Sequence, residues 1–102
     1  MIARTWHARL AAGREADYDR FAESQSLPMF RRLPGCLGVF FLGKGTERRV
    51  LSLWTDAAAI EALAGNTDYL AVSGSLSDSG ILAAVGPVEV EAAGGAAFPP
   101  RE

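Results

Sequence analysis

The first ten residues alternate. Ile2, Arg4, Trp6 and Ala8 fall on one face of an extended segment, and Ala3, Thr5, His7 and Arg9 fall on the other. That is the period of a β-strand. "AAG" at 11–13 turns the chain, and residues 15–23 take up a helical period, with Tyr18, Phe21 and Ala22 on one stripe. "SQSLP" is expected to interrupt this helix, Ser26 capping a second short turn with Pro28 in its first turn. Phe30 and Leu33 continue the apolar face until "PG" at 34–35 stops it. "CLGVFFLGKG" reads as a second strand, Gly43 to Thr46 as its turn, and "RRVLSLW" as the strand that pairs back. Asp56 is placed to cap a helix over "AAAIEALAG", which Gly65 and Asn66 are expected to close in the left-handed manner. Residues 67–84 lack a clear period: "TDYLAV" suits a helical turn, and "SGSLSDSG" reads as a mobile loop. "VGPVEVEA" is the last strand, Val88 and Val90 alternating with Glu89 and Glu91.

The order strand, helix, strand, strand, helix, strand is the split βαβ pattern of an α+β, ferredoxin-like subunit. Right-handed crossovers place both helices on one face of the antiparallel sheet. The opposite face also carries apolar residues, and a second copy is the economical cover, so a homodimer is expected. The domain spans residues 1–93, and residues 94–102 form a loose tail or reach a partner subunit.

With 102 residues the chain fits one domain, and 49% hydrophobic content makes it globular. A net charge of −2 and the lack of a basic cluster interleaved with aromatics argue against nucleic acid. No basic segment precedes an apolar core at the N-terminus, and no apolar run approaches the ~20 residues of a membrane helix. The expectation is a cytoplasmic protein that does not engage membranes, consistent with a single cysteine, Cys36. One Cys and one His fall short of a zinc site, and "GKGTE" leads into a strand rather than the helix a phosphate loop needs. No metal and no cofactor is therefore expected.

"RTWHARL" at 4–10, "LPMFRRLPG" at 27–35, "VLSLW" at 50–54 and "AIEALAG" at 59–65 resemble the antibiotic biosynthesis monooxygenase family of dimeric α+β barrels, over roughly residues 1–92. The resemblance implies a ferredoxin-like subunit whose sheet packs on a twin, with a pocket between sheet and helices. It also implies oxidation of a small aromatic or polyketide-like compound by molecular oxygen, without flavin, haem or metal. The rival class is a non-catalytic small-molecule-binding or stress-associated dimer using the same cleft. The haem-degrading branch carries an Asn on the first strand and a His after the second helix, and this chain has neither.

On this basis His7 and Trp54 are the candidate catalytic residues, and Arg4, Phe21 and Tyr69 the candidate substrate contacts. An indole face stacks on a planar ring and its N–H donates to developing negative charge, but Trp54 equally suits a core at a strand end. His7 carries the imidazole, the side chain that titrates near neutrality, and can take a phenol proton; alternatively it belongs to the polar face of the strand. Trp6 and His7 point to opposite faces, so at most one of them serves a given pocket. Tyr69 orients a substrate oxygen or anchors the core. Arg4 stabilises an oxyanion, or pairs with Glu89 or Glu91 on the neighbouring strand. Cys36 reads as a small buried filler.

Overall fold

The computed structural model describes residues 1–100. Strand β1 (Ile2–Leu10) is followed by helices α1 (Glu15–Phe21) and α2 (Leu27–Arg32), then by β2 (Cys36–Lys44) and β3 (Glu47–Trp54). Helices α3 (Ala57–Glu61) and α4 (Thr67–Asp78) and strands β4 (Leu82–Val85) and β5 (Glu89–Ala92) complete the chain. The strands form one antiparallel sheet in the order β2-β3-β1, with β4 and β5 both hydrogen-bonded to the far edge of β1. The fold is α+β and ferredoxin-like, with its helices on one face of the sheet.

The alternation along β1 holds: Arg4, Trp6 and Leu10 face the helices, and Thr5, His7 and Arg9 face away. The hairpin β2–β3 closes at Gly45 and Thr46, with Lys44 opposite Glu47. Gly35 stops α2 as the "PG" pair suggests. Its φ is +79°, and an added Cβ would lie 2.6 Å from that of Ala59, so only glycine fits there.

Four sequence expectations are corrected. Residues 15–32 run as one helical rod through "SQSLP", and Ser26 makes no capping bond. The rod tolerates Pro28 by widening to a π turn at 22–26, in which the Leu27 N–H donates to the Ala22 carbonyl. Proline lacks an N–H and crowds the carbonyl four residues back, and a wider turn relieves both problems. Second, Gly65 and Asn66 do not adopt a left-handed close: the helix tightens to a 3₁₀ turn at Ala62–Gly65, and Asn66 is extended. Its side chain instead caps α4, accepting from Tyr69 N–H at 2.9 Å.

Third, "SGSLSDSG" is no loop; α4 continues through it to Asp78. Tyr69, Val72 and Leu76, spaced by three and four, pack on the core and hold a segment whose own helix propensity is weak. Fourth, the last strand is two short strands. Residues 82–85 pair with the end of β1 and residues 89–92 with its start, and Pro87, which has no donor, falls between them. Asp56 caps α3 as expected, accepting from Ala59 N–H at 2.9 Å.

The core divides into two clusters. Met29, Phe30, Leu33, Val50, Trp54 and Leu63 form one; Leu10, Tyr18, Ala22 and Ile81 form the other. Trp6 and Phe41 touch both. Residues 93–100 form no helix or strand, and Phe98 is 87% exposed. The tail expected at 94–102 includes residues 101 and 102, which lie outside the described residues.

Candidate functional site

Where the two core clusters meet, the packing leaves a cavity of about 150 Å³ between the sheet and the helices. Its floor is sheet: Arg4 and Trp6 from β1, Phe41 from β2 and Val50 from β3. Tyr18 and Phe21 of α1 and Phe30 of α2 form one side. Tyr69, Val72 and Leu76 of α4 form the other, with Ser73 and Ser77 beside them. The wall is thus aromatic and aliphatic with few polar groups, the usual make-up of a small-molecule site.

Among the described residues, Arg4 supplies the only charge on that wall. Its Nη2 donates to Tyr69 Oη at 3.1 Å, joining β1 to α4. The guanidinium carbon is 5.8 Å from the ring centroid, at the outer reach of a cation–π contact, so the hydroxyl bond is the stronger tie. Among the described residues Arg4 has no carboxylate partner. The ion pair expected with Glu89 or Glu91 does not form, because Arg4 is opposite Val90 and both glutamates project from the other face. Tyr69 is present at the cavity together with Arg4 and Phe21, so three of the five candidate residues converge.

Trp54 and His7 do not join them. Trp54 is fully buried and lies under the helices in the first core cluster. Its Nε1–H donates to Ser52 Oγ at 2.8 Å, and that hydroxyl in turn donates to the Arg4 carbonyl at 3.3 Å. The indole proton is therefore committed inside the core, and its link to the cavity runs through the Arg4 backbone. His7 lies on the outer face of the sheet, its Nε2 3.5 Å from Glu89 Oε1. That is long for a hydrogen bond, and the atom is buried without a partner among the described residues.

Among the described residues, two tyrosines and one arginine are the only ionisable groups on the cavity wall. Burial raises the Tyr18 hydroxyl above its ordinary value, with Arg48 beside its ring only partly offsetting this. Tyr18 therefore stays protonated at neutral pH. Cys36 is half-buried away from the cavity, and burial likewise raises its thiol, so it is no ready nucleophile. No group of three or more His, Cys, Asp or Glu suited to a metal occurs among the described residues.

Trp6, which was not among the candidate site residues, forms cavity floor as well as core. Tyr18 and Phe41 were also passed over as wall residues. Their signal was present in the alternation of β1 and β2 and in the α1 stripe, but which apolar positions border a void depends on how the layers meet. Arg4 and Tyr69 are 65 residues apart, and only the docking of α4 brings them together.

No family model matches the chain, and no curated protein matches it. Solved structures share its fold. SnoaB, a cofactor-independent oxygenase from Streptomyces nogalater, superposes with a TM-score of 0.74 at 15% identity, covering 93% of this chain and 94% of its own. An antibiotic biosynthesis monooxygenase gives a TM-score of 0.73 at 13% identity, over 93% of this chain and 100% of its own. NE2512, a protein of unknown function from Nitrosomonas europaea, gives 0.70 at 22% identity, over 95% of each chain.

Proposed function

We propose that this chain is a member of the antibiotic biosynthesis monooxygenase family that takes a small aromatic or polyketide-like compound into the cavity and oxidises it with molecular oxygen, using no cofactor. The observation that carries the reading is Arg4: a guanidinium without a carboxylate partner, tied to Tyr69, at the wall of an aromatic cavity. An aromatic substrate stacks among Trp6, Phe21 and Phe41 and leaves water behind. Arg4 and the Tyr69 hydroxyl meet its ring oxygen. As an electron passes from ring to oxygen, the same cation stabilises the reduced oxygen, and a preorganised charge acts most strongly in such a water-poor site. One oxygen atom ends as a ring carbonyl and the other leaves as water, all electrons coming from the substrate. The roles of His7 and Trp54 in this scheme are indirect: His7 lies across the sheet, and Trp54 braces Arg4 through Ser52. Oxygen uptake on a panel of phenols, quinols and an anthrone tests the reading; no uptake on any of them counts against it.

One observation favours the second reading, a binding protein without turnover. Among the described residues the cavity wall holds no carboxylate and no imidazole to take a substrate proton. Saturable binding of aromatic compounds without oxygen uptake is its signature.

Both readings include a homodimer across the outer sheet face, in the cytoplasm, with no nucleic-acid or membrane partner. In support, Leu37 and Phe40 are 57% and 48% exposed, and Leu51 and Leu53 share that face with them. No helix is long and apolar enough to cross a membrane among the described residues. A sedimentation experiment returning a stable monomer at micromolar concentration contradicts the dimer.

A further inference from the structure

We propose that the cavity selects a monocyclic aromatic acid, its carboxylate held by Arg4 and Tyr69 and its ring enclosed by Trp6, Phe21 and Phe41. This rests on the cavity being the ligand site, as in the proposed function, and adds the identity of the anion and the size of the ring system.

Charge is the first support. Arg14, Arg20, Arg32 and Arg48 each pair with an aspartate; Arg9, Arg31 and Arg49 make no ion pair among the described residues but are exposed, whereas Arg4 is half-buried, unpaired and on the cavity wall. A half-buried guanidinium without an anion is costly, and a carboxylate entering the cavity supplies one. Geometry is the second. Tyr69 Oη accepts from Arg4, so the hydroxyl proton is free to donate elsewhere. Arg4 and Tyr69 thus present two adjacent donors, which suits the two oxygens of one carboxylate.

Protonation separates a carboxylate from a phenolate. An aromatic acid is ionised at neutral pH unaided, whereas a phenol, with a pKa of about 10, needs a base. Among the described residues the wall carries no carboxylate or imidazole, and burial keeps Tyr18 protonated. Size is the last support. A cavity of about 150 Å³ is the volume that holds one benzene ring.

The test is a titration of isotope-labelled protein with benzoate, with benzamide as the uncharged isostere and with 9-anthracenecarboxylate as the three-ring acid. The indole N–H resonances of Trp6 and Trp54 report cavity and core separately. Benzoate is expected to move the Trp6 signal and leave that of Trp54, and benzamide to bind at least about tenfold more weakly, the loss of one charge-assisted contact. The three-ring acid is expected to leave Trp6 unmoved. Arg4→Met should bring benzoate down to the benzamide level, and Arg4→Lys should recover part of the difference. An unshifted Trp54 signal in both variants certifies the fold. Equal affinity for benzoate and benzamide overturns the proposal, as does an unchanged ratio in Arg4→Met or tight binding of the three-ring acid. Benzoate has no oxidisable hydroxyl, so its binding is independent of turnover. Benzoate binding without oxygen uptake on any phenol removes the oxygenase reading and leaves this one. Uptake on neutral phenols without a benzoate site does the reverse.

Discussion

Ser52→Ala tests the buried relay behind the cavity floor. Ser52 is 1% exposed, and its hydroxyl accepts from Trp54 Nε1–H while donating to the Arg4 carbonyl. Removing one oxygen leaves a gap too small for water, so the indole N–H of a fully buried tryptophan loses its only partner. An orphaned buried donor costs about 1–3 kcal/mol. Taking about 2 kcal/mol, a domain of this size should lose about 8–16 °C in Tm. Urea denaturation of the wild type, both single variants and the double variant with Trp54→Phe isolates the term. Trp54→Phe carries its own cost, from the lost bond and an underfilled core. In that background there is no indole proton to orphan, so Ser52→Ala should cost less by about 1–2 kcal/mol. If Ser52→Ala costs the same in both backgrounds, the bond contributes nothing and the relay is refuted.

Three further outcomes follow from other parts of the fold. Gly74 sits inside α4 with open space around an added Cβ, so Gly74→Ala should stabilise by about 0.5–1 kcal/mol in a thermal melt; destabilisation would mean that the face is covered. The Asp68 carboxyl is held below its ordinary value by hydrogen bonds from Arg32, which clamp α4 to α2. Its contribution is therefore present above the usual aspartate range and lost as pH falls through the lowered folded value, so hydrogen exchange at the start of α4 should speed up in acid, and Asp68→Asn should remove that pH dependence. The raised Tyr18 hydroxyl has the opposite sense: its burial favours the neutral form, so stability should fall as pH rises above the ordinary tyrosine value, and Tyr18→Phe should flatten that limb in an alkaline denaturation series.

The sheet was legible because its signal is local. β1 alternates residue by residue, and Gly45 with Thr46 closes a hairpin between two apolar runs. Helix α4 was half hidden: its serines and Gly74 favour loops, and its helix rests on Tyr69, Val72 and Leu76 finding the core. The π turn at 22–26 has no sequence signature beyond Pro28, which reads equally well as a break. For the site, residue type and strand parity separated Trp6 from His7, but parity alone does not say which face the helices cover. Trp54 shows the same limit. An indole at a strand end looks chemical, and only the position of Ser52 two residues earlier, on the same face, shows where its proton goes.

In the proposed function, chemistry belongs to the helix-side cavity around Arg4 and not to the outer face around His7. Oxygen uptake measured side by side on wild type, Arg4→Met and His7→Ala, with the hydroxylated aromatic that the wild type consumes, tests it directly. Arg4→Met is expected to lower kcat/KM by about 10²–10³, the usual effect of removing a group that stabilises charge in the transition state, and His7→Ala to stay close to wild type. A His7→Ala enzyme that loses its activity beside an Arg4→Met enzyme that keeps it would place the chemistry on the outer face and contradict the proposed site.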